Sequence, residues 1–274
     1  MSTLPNALVI GAAKAGTTSL CDDLARHSDV YFYHSKETHF FSFNYDKGLP
    51  WYKSLFSPAD EKIIIEGSPE YASIGQSEEI AQRIHAVIPD ARLLYMVRNP
   101  LQRIASMYVQ KVADERSDMS FHDALRRWPL IDGSLYEKNY RAFADVFGED
   151  QIHVIFLHEY TSSKQAVLEE VTAFLGISRA QQLWETRAPK NTRDDKYFDA
   201  SFVRKLRKFP GFYRFKGLVS QDMRTKFRQM TGTKVKIDAT WSASDRAFVL
   251  QQIAPDAKAF LARFGRDPSC WDLT

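Results

Sequence analysis

The sequence has few of the residues that support disulfide networks, metal centres or membrane spans. Only two cysteines, Cys21 and Cys270, occur among its 274 residues. They form no CxxC pair and no Cys/His ligand spacing, so we expect neither a disulfide framework nor a zinc site. This scarcity favours a reducing, cytoplasmic location. No apolar run approaches the ~20 residues that span a bilayer, and the short polar start, Met1–Asn6, differs from a secretory leader.

The overall composition predicts a folded chain with a sizeable core. Hydrophobic residues make up 44% of the sequence and charged residues 26%, which argues against disorder. The formal net charge of +3 suits anionic ligands but does not require nucleic acid. The length fits one large domain, and we predict a single domain over residues 1–274.

Short apolar runs alternate with amphipathic stretches along the first two thirds of the chain. This alternation predicts right-handed crossovers and an α/β fold with three layers, α/β/α, around a central, mostly parallel sheet. The predicted strands are Ala7–Gly11, Val30–Tyr33, Lys62–Glu66, Arg92–Val97 and Gln151–Leu157. The predicted helices of the first two thirds are Gly16–His27, Ser77–Ile88, Leu101–Ala113, Ser120–Arg127, Ser134–Phe147 and Lys164–Leu175. The C-terminal third is predicted to be helical, with helices at Phe202–Lys208, Gln221–Met230 and Ser244–Phe264.

A loop of small residues follows the first predicted strand and leads into a helix. Its sequence, from Gly11 to Ser19, is GAAKAGTTS. Small residues let the backbone turn tightly and direct N–H groups to one point, where the helix N-terminus adds partial positive charge. We therefore predict an anion-binding, P-loop-like site that comprises Lys14, Ala15, Gly16, Thr17, Thr18 and Ser19.

This loop differs from a Walker A loop in the position of its lysine. Thr17 stands where the Walker lysine would be, and Lys14 lies three residues earlier. The spacing therefore does not imply the magnesium site of a P-loop NTPase, and we predict no metal. The alternative is an ordinary strand-to-helix turn with a solvated lysine.

Two motifs together resemble those of the sulfotransferases that use 3′-phosphoadenosine 5′-phosphosulfate (PAPS). Lys14–Thr18 resembles their 5′-phosphosulfate loop, and Leu94–Pro100, with Arg103 and the stretch Ser106–Tyr108, resembles their 3′-phosphate motif. The resemblance implies PAPS as donor and the desulfated nucleotide PAP as product. It also implies that Arg98 and Ser106 bind the 3′-phosphate, with Arg103 either assisting or lying on a solvated helix face.

Further segments resemble the branch that contains heparan-type and many bacterial sulfotransferases. Lys36–Phe41 resembles its K-E-x-H-F-F segment, and Ile65–Tyr71 resembles its E-K-[ST]-P-x-Y segment. A later pair, Ser134–Tyr136 and Leu157–Tyr160, is also similar. The chain departs from this branch at Gly67, where glycan-sulfating members often carry a lysine, and it lacks the cysteines of their disulfide-bounded donor loop.

The same resemblance suggests how the reaction would proceed. Lys14 would stabilise the negative charge that grows on the departing phosphate. Glu37 would act as the general base, with His39 orienting it or binding the acceptor, and Glu66 would be a reserve base. The alternative is that Glu37 pairs with Lys36 or Lys53 and that His39 is a packed histidine.

Other residues have weaker functional signals. Trp51 and Tyr52 would either line a ligand pocket or pack in the core, and Tyr136 is a candidate nucleotide contact. The basic segment Arg204–Lys216 is either a solvated helix face or a surface for an anionic glycan, lipid headgroup or membrane. The remaining histidines, which show no ligand spacing, are His27, His34, His85, His122, His153 and His158.

The sequence thus predicts an enzyme that transfers a sulfuryl group from PAPS to an acceptor hydroxyl or amine. A glycan or glycolipid is the leading acceptor by resemblance, and a polyketide, a lipid or a small natural-product alcohol is the alternative. Two other functions stay open: a P-loop nucleotide kinase and a PAP-binding module without catalytic activity. We expect no nucleic-acid partner, and the oligomeric state is not readable from the sequence.

Overall fold

A five-stranded parallel sheet forms the centre of the molecule. The computed structural model describes residues 4–33, 37–57, 59–73, 75–115, 117–177, 197–198, 233–234 and 237–273. The strands are β1 (Ala7–Gly11), β2 (Val30–Phe32), β3 (Ile63–Glu66), β4 (Arg92–Val97) and β5 (Ile152–Phe156). Their spatial order is β2-β3-β1-β4-β5, and every neighbouring pair is parallel. The predicted α/β class and parallel sheet are confirmed.

The central strands are apolar over their whole length because both of their faces are covered. Every residue of β1 is buried, and β4 is buried at every position except Arg92. Continuous burial of this kind is typical of parallel strands with helices packed around the sheet. Two further residue pairs form a short antiparallel ribbon, β6 (Tyr197–Phe198) with β7 (Thr233–Lys234).

The described helices surround this sheet, and most begin close to where the sequence predicts them. Two short ones, α2 and α7, were not predicted. The predicted helices Phe202–Lys208 and Gln221–Met230, like the basic segment Arg204–Lys216, lie outside the described residues. The helices are α1 (Thr17–Leu24), α2 (Gly48–Ser54), α3 (Ser77–Val87), α4 (Pro100–Glu115), α5 (Phe121–Arg127), α6 (Tyr136–Phe147), α7 (Leu157–Ser162), α8 (Lys164–Leu175) and α9 (Ala243–Arg263).

Two central strands pass almost directly into helices at the same edge of the sheet. β1 leads through a short loop into α1, and β4 leads through Arg98 and Asn99 into α4. Pro100 occupies the first position of α4, where its missing N–H has no cost, and Asn99 Oδ1 accepts a hydrogen bond from the Gln102 N–H (3.1 Å). The N-termini of α1 and α4 therefore both begin at the carboxyl edge of the sheet, where ligands of such folds bind.

The short helical turn Pro268–Trp271, near the end of the described chain, packs close to this edge of the sheet. The Trp271 ring stacks on Phe260 of α9, with ring centroids 6.1 Å apart and an interplanar angle of 11°. Asn99 Nδ2 donates a hydrogen bond to the Trp271 carbonyl (2.7 Å). The segment after α9 is thereby joined to the end of β4. Among the helices that the structure describes, none is both long enough and apolar enough to cross a bilayer.

Candidate active site at the carboxyl ends of the strands

The loop between β1 and α1 is anchored on both sides by neighbouring strand ends. The Ala12 N–H donates to the carbonyl of Met96 in β4 (2.6 Å). The Ala13 N–H donates to the Pro69 carbonyl (3.1 Å) and to Ser73 Oγ (3.1 Å), both in the turn after β3. These bonds fix the entry to the loop, so that the following residues project from the sheet edge.

Positive φ angles shape the rest of the loop. Lys14 has a φ of 71°, and Gly16, which caps α1, has a φ of 98°. A Cβ at Gly16 would lie 2.7 Å from a side-chain carbon of Leu157, so both the conformation and the space require glycine. Thr17, Thr18 and Ser19 then form the first turn of α1. Hydroxyl and backbone donors thus gather at a helix N-terminus, an arrangement that fits a phosphate or sulfate group.

The Lys14 side chain extends from the loop to α4. Its Nζ donates a hydrogen bond to Gln110 Oε1 (3.2 Å). Gln110 lies one turn after Ser106 on the same helix, so the predicted Ser106 and the unpredicted Gln110 share a face. That spacing from Ser106 was the available sequence signal for Gln110. The structure therefore brings the predicted lysine next to the helix that carries the predicted serine.

Arg98 lies against the same loop. Its Nη1 donates to the Lys14 carbonyl (3.4 Å), and its Nε donates to Gln102 Oε1 (3.2 Å). The Tyr136 hydroxyl donates to the Arg98 carbonyl (2.7 Å), which holds the backbone at the end of β4. The two predicted cations are therefore adjacent at one edge of the sheet. Whether Arg98 and Ser106 bind a 3′-phosphate stays a prediction.

Arg103 is not on a solvated helix face, and that interpretation was wrong. Arg103 is only 1% exposed to solvent. Its guanidinium donates to the Ala13 carbonyl (3.3 Å), to Ser134 Oγ (2.6 Å) and to the Leu130 carbonyl. A buried guanidinium needs such acceptors because an unpaired one would be very costly. Arg103 thus supports the loop from the protein interior.

The carboxyl group of Glu66 joins the end of β3 to the segment around Thr38. Glu66 is fully buried. It accepts hydrogen bonds from Thr38 Oγ1 (2.8 Å), Ser68 Oγ (2.9 Å), Tyr71 OH (2.8 Å) and, more weakly, Tyr52 OH (3.4 Å). Burial raises the pKa of Glu66 to about 7, although these hydrogen bonds act in the opposite direction. A carboxyl group so enclosed cannot reach an acceptor, which disfavours a reserve-base role.

Glu37 and His39, the predicted catalytic pair, lie side by side. His39 Nε2 is 3.6 Å from Glu37 Oε2, and both side chains are partly exposed. The His39 N–H donates to Ser68 Oγ (3.1 Å), which holds its backbone at a φ of 54°. Lys36, one of the alternative partners of Glu37, lies outside the described residues.

A second carboxylate contacts the other nitrogen of His39. Glu70 Oε1 is 2.7 Å from His39 Nδ1. Burial lowers the pKa of His39, but the hydrogen bond to Glu70 and the charges of Glu70, Glu37 and Glu66 outweigh it, so the pKa is raised overall. Sequence reasoning missed Glu70 because it occupies the unspecified position of the E-K-[ST]-P-x-Y segment.

Comparison with known proteins finds similarity to sulfotransferases in both sequence and structure. The sequence profile of the sulfotransferase family matches residues 75–181. A solved sulfotransferase from Alicyclobacillus acidocaldarius superposes with a TM-score of 0.69 at 25% identity, covering 97% of this chain and 98% of that one. These matches, with the curated relatives below, support a sulfotransferase family for this chain.

Curated relatives of this chain include human enzymes. It is 31% identical over 185 residues to human heparan sulfate glucosamine 3-O-sulfotransferase 6, an alignment that covers 64% of this chain and 53% of the relative. Human heparan sulfate glucosamine 3-O-sulfotransferase 3B1 matches at 31% over 188 residues, covering 64% and 47% respectively. The chain thus spans about half the length of these relatives. A mouse sulfotransferase solved with PAP, SULT7A1, shares the fold (TM-score 0.54, 14% identity, 95% of this chain and 88% of that one).

The aromatic residues near the predicted pair divide between core and surface. Tyr52 is fully buried and stacks on Phe40, with centroids 4.2 Å apart and an interplanar angle of 9°. The core interpretation therefore applies to Tyr52. Trp51 is partly buried, and Lys47 Nζ lies 4.4 Å from the centroid of its ring. Phe43, at 66% exposure, is left facing solvent beside His39.

Gly67 sits where a larger side chain would meet the core. A Cβ at this position would lie 3.1 Å from Cys21 Sγ and 3.4 Å from the Phe32 ring. A side chain at position 67 would therefore require Cys21 Sγ to shift by a few tenths of an ångström, whereas its distance to the Phe32 ring would be an ordinary contact. No group of three or more potential metal-ligating side chains occurs in the part of the chain that the structure describes.

Proposed function

We propose that the protein transfers the sulfuryl group of PAPS to an acceptor hydroxyl, with a residue of the Glu37–His39 pair removing the hydroxyl proton. The observation that supports this most directly is the turn after β3. Pro69 in this turn accepts the Ala13 N–H of the anion-binding loop, and the adjacent Ser68 accepts the His39 N–H. One short turn therefore holds the donor loop and the candidate base next to each other.

The donor end would act through charge. The N-terminus of α1, the hydroxyl groups of its first turn and the Lys14 ammonium group surround the place where a phosphosulfate would bind. Negative charge grows on the departing phosphate as the bond to sulfur breaks. Donors fixed in advance at that position stabilise the transition state more than the ground state.

The acceptor end would act through proton removal. Glu37 Oε2 and His39 Nε2 are 3.6 Å apart and both side chains are partly exposed, so a hydroxyl beside the two atoms would lie within hydrogen-bond distance of both. Because burial and hydrogen bonding engage Glu66 fully, the base is one of these two residues. A positioned base of this kind contributes about 10²- to 10⁴-fold to a rate.

A glycan hydroxyl is the acceptor that we propose. The support comes from the relatives, which are named for the sulfation of glucosamine in heparan sulfate. Phe43, whose ring centroid is 6.0 Å from that of His39, and Tyr45 are both exposed. Their rings offer flat apolar surfaces of the kind that pack against sugar rings. The donor is PAPS, and we propose that no metal takes part.

The test is transfer from ³⁵S-labelled PAPS in EDTA. We would offer an unsulfated glucosamine-containing polysaccharide, a simple glucosaminide, a phenol and a long-chain alcohol as acceptors. We expect label in a glycan and no loss of rate without magnesium. Label only in the phenol or the alcohol would overturn the acceptor class. No transfer from PAPS, together with magnesium-dependent phosphoryl transfer from ATP, would overturn the proposed function.

A further inference from the structure

We propose that Glu70 is a positioning residue that fixes the tautomer and the orientation of His39, so that Nε2 always faces Glu37 and the acceptor side. This inference relies on the proposed function for the reaction that the pair serves, but its structural part stands alone. No sequence motif specified position 70.

The geometry decides which nitrogen of His39 carries a proton. Glu70 Oε1 lies 2.7 Å from Nδ1, and the Glu70 side chain is only 12% exposed. A carboxylate can only accept hydrogen bonds, so Nδ1 must be the donor. Nε2 is then the nitrogen that changes its protonation state, and it is the one 3.6 Å from Glu37.

Glu70 is itself held in place from both sides. The Ser42 hydroxyl donates to the same Oε1 atom (3.0 Å), so Glu70 is contacted by both His39 and Ser42. Within the turn, the Ser73 N–H donates to the Glu70 carbonyl (2.9 Å), and the Ala72 N–H donates to the carbonyl of Ile10 in β1 (2.9 Å). The carboxylate therefore sits on a turn that is fixed to the sheet, which suits it to orient a more exposed ring.

The arrangement serves either candidate base. With His39 neutral, Nε2 has a free lone pair that can take a proton from an acceptor hydroxyl, as in other carboxylate–imidazole pairs. With His39 protonated, Nε2–H points at the Glu37 carboxylate and orients it. In both states Glu70 keeps Nδ1 protonated, so its role does not depend on which residue takes the proton.

The charges around the ring determine the direction of its titration. Among the described residues, the titratable groups that act on His39 are Glu37 from its own segment and Glu66 and Glu70 from the end of β3 and the turn after it, all acidic. They favour the imidazolium form, and Glu70 has the largest effect of the three. Removal of the Glu70 charge should therefore lower the pKa of His39.

Nitrogen-15 NMR of histidine-labelled protein gives the direct test. His39→Asn identifies the His39 signals by their loss. In the unmodified protein we expect the neutral ring to be protonated at Nδ1. In Glu70→Gln, the amide oxygen still accepts the Nδ1 proton but the charge is gone, so the tautomer should persist and the pKa should fall. In Glu70→Ala, we expect both a lower pKa of His39 and a mixture of its two neutral tautomers.

Steady-state kinetics of Glu70 variants test whether this positioning affects the reaction. We expect kcat to fall on the order of 10²-fold in Glu70→Ala, with the limb of the kcat/KM profile that reports His39 moved to lower pH and the affinity for PAP unchanged. That limb is the acid one if His39 is the base and the alkaline one if Glu37 is the base. Glu70→Asp should recover part of the rate. The matched control is Glu78→Gln, which removes one negative charge from an exposed position on α3.

An unchanged His39 tautomer and pKa in both Glu70→Gln and Glu70→Ala would overturn the proposal, as would full activity of Glu70→Ala with an unshifted pH profile. If the unmodified protein transferred no sulfuryl group, the proposed function would fail while the NMR titration still decided the role of Glu70. The two failures are therefore distinguishable.

Discussion

At the scale of single residues, backbone strain coincides with the proposed chemistry. Among the described residues, three other than glycine have positive φ angles, and two of them are Lys14 and His39. Such a conformation costs about 1–3 kcal/mol per residue and persists only where surrounding bonds enforce it. Here the bonds come from the turn after β3, through Pro69 and Ser68. Two of the three strained residues are thus ones that the proposed function places next to ligands.

Lys14 tests the proposed stabilisation of the leaving group. We expect Lys14→Ala to lower kcat by about 10²- to 10³-fold, because the ammonium group acts on charge that appears only in the transition state. PAP affinity should fall far less, since the loop N–H groups and hydroxyls stay. Steady-state kinetics and calorimetric titration with PAP measure the two effects. Equal losses in rate and in affinity would contradict the transition-state role.

Glu66 gives a prediction about stability and pH. Its pKa rises from 4.5 to about 7 on folding, so the folded state binds more protons than the unfolded state between these values. The free energy of unfolding should therefore fall as pH rises from about 4.5 to 7, by about 3 kcal/mol from this group, and level off above pH 7. Glu66→Gln cannot ionise and should lack this contribution.

Urea unfolding at pH 5 and pH 8 measures the effect. The loss of stability between the two pH values should be larger in the unmodified protein than in Glu66→Gln, and the other titrating groups cancel in this difference. The exposed Glu78→Gln should behave like the unmodified protein. The same pH dependence in all three proteins would show that Glu66 ionises normally inside the fold.

Several residue roles could be predicted from the sequence, and others depended on tertiary contacts. Lys14 and Arg98 could be placed at the sheet edge because each follows a recognisable strand. The burial of Glu66 and Arg103 could not be predicted, since a charged residue after a strand or on a helix is usually solvated. Their partners come from distant segments: Thr38 and Tyr52 for Glu66, and Leu130 and Ser134 for Arg103.

At the scale of elements, strand ends were easier to predict than short helices. Gly11 and the Asn99–Pro100 pair end β1 and β4 with residues that break strands, so both predicted ends were correct. Helix α7 follows β5 without a breaking residue, and the change of period is too short to detect. Helix α2 starts with Gly48 and has proline at its third position, a pattern that also suits a turn.

Helix α6 receives its N-terminal cap from another element. Asp256, on α9, accepts hydrogen bonds from the N–H groups of Glu137 (3.0 Å) and Lys138 (2.9 Å) in the first turn of α6. Asp256→Ala would leave both donors without this acceptor, and we expect a loss of about 1–2 kcal/mol in the free energy of unfolding. Denaturant unfolding checks this value.

The control for this cap is Lys258→Ala, an exposed substitution two residues further along α9. It should change stability by less than about 0.5 kcal/mol. A similar effect of the two substitutions would mean that Asp256 contributes through α9 itself and not through the start of α6.

At the scale of the whole molecule, the proposed nucleotide site connects β1 with β4 through the loop, Arg98 and α4. A ligand that binds only the folded state stabilises it by about 2.7 kcal/mol at a concentration of 100 Kd. For a domain of this size, PAP should therefore raise Tm by roughly 5–10 °C. The shift should be the same in EDTA and in magnesium.

Differential scanning fluorimetry across a range of PAP concentrations measures this shift, with AMP as the control that lacks the 3′-phosphate. AMP should stabilise much less because it leaves the Arg98 side of the site without an anion. Equal shifts with PAP and AMP would show that Arg98 and Ser106 do not bind the 3′-phosphate.

The segment from Thr38 to Tyr45 is attached to the sheet at some positions and exposed at others, and this difference has a consequence for the choice of acceptor. The segment is fastened to the sheet through Thr38 and the backbone of His39, whereas Phe43 and Tyr45 are 66% and 40% exposed. Phe43 and Tyr45 can therefore be substituted without breaking the hydrogen bonds of Thr38 and His39. Under the proposed function, substitutions at Phe43 and Tyr45 would change which compound receives the sulfate, while the loop and Arg98 at the carboxyl ends of β1 and β4 would stay unaltered.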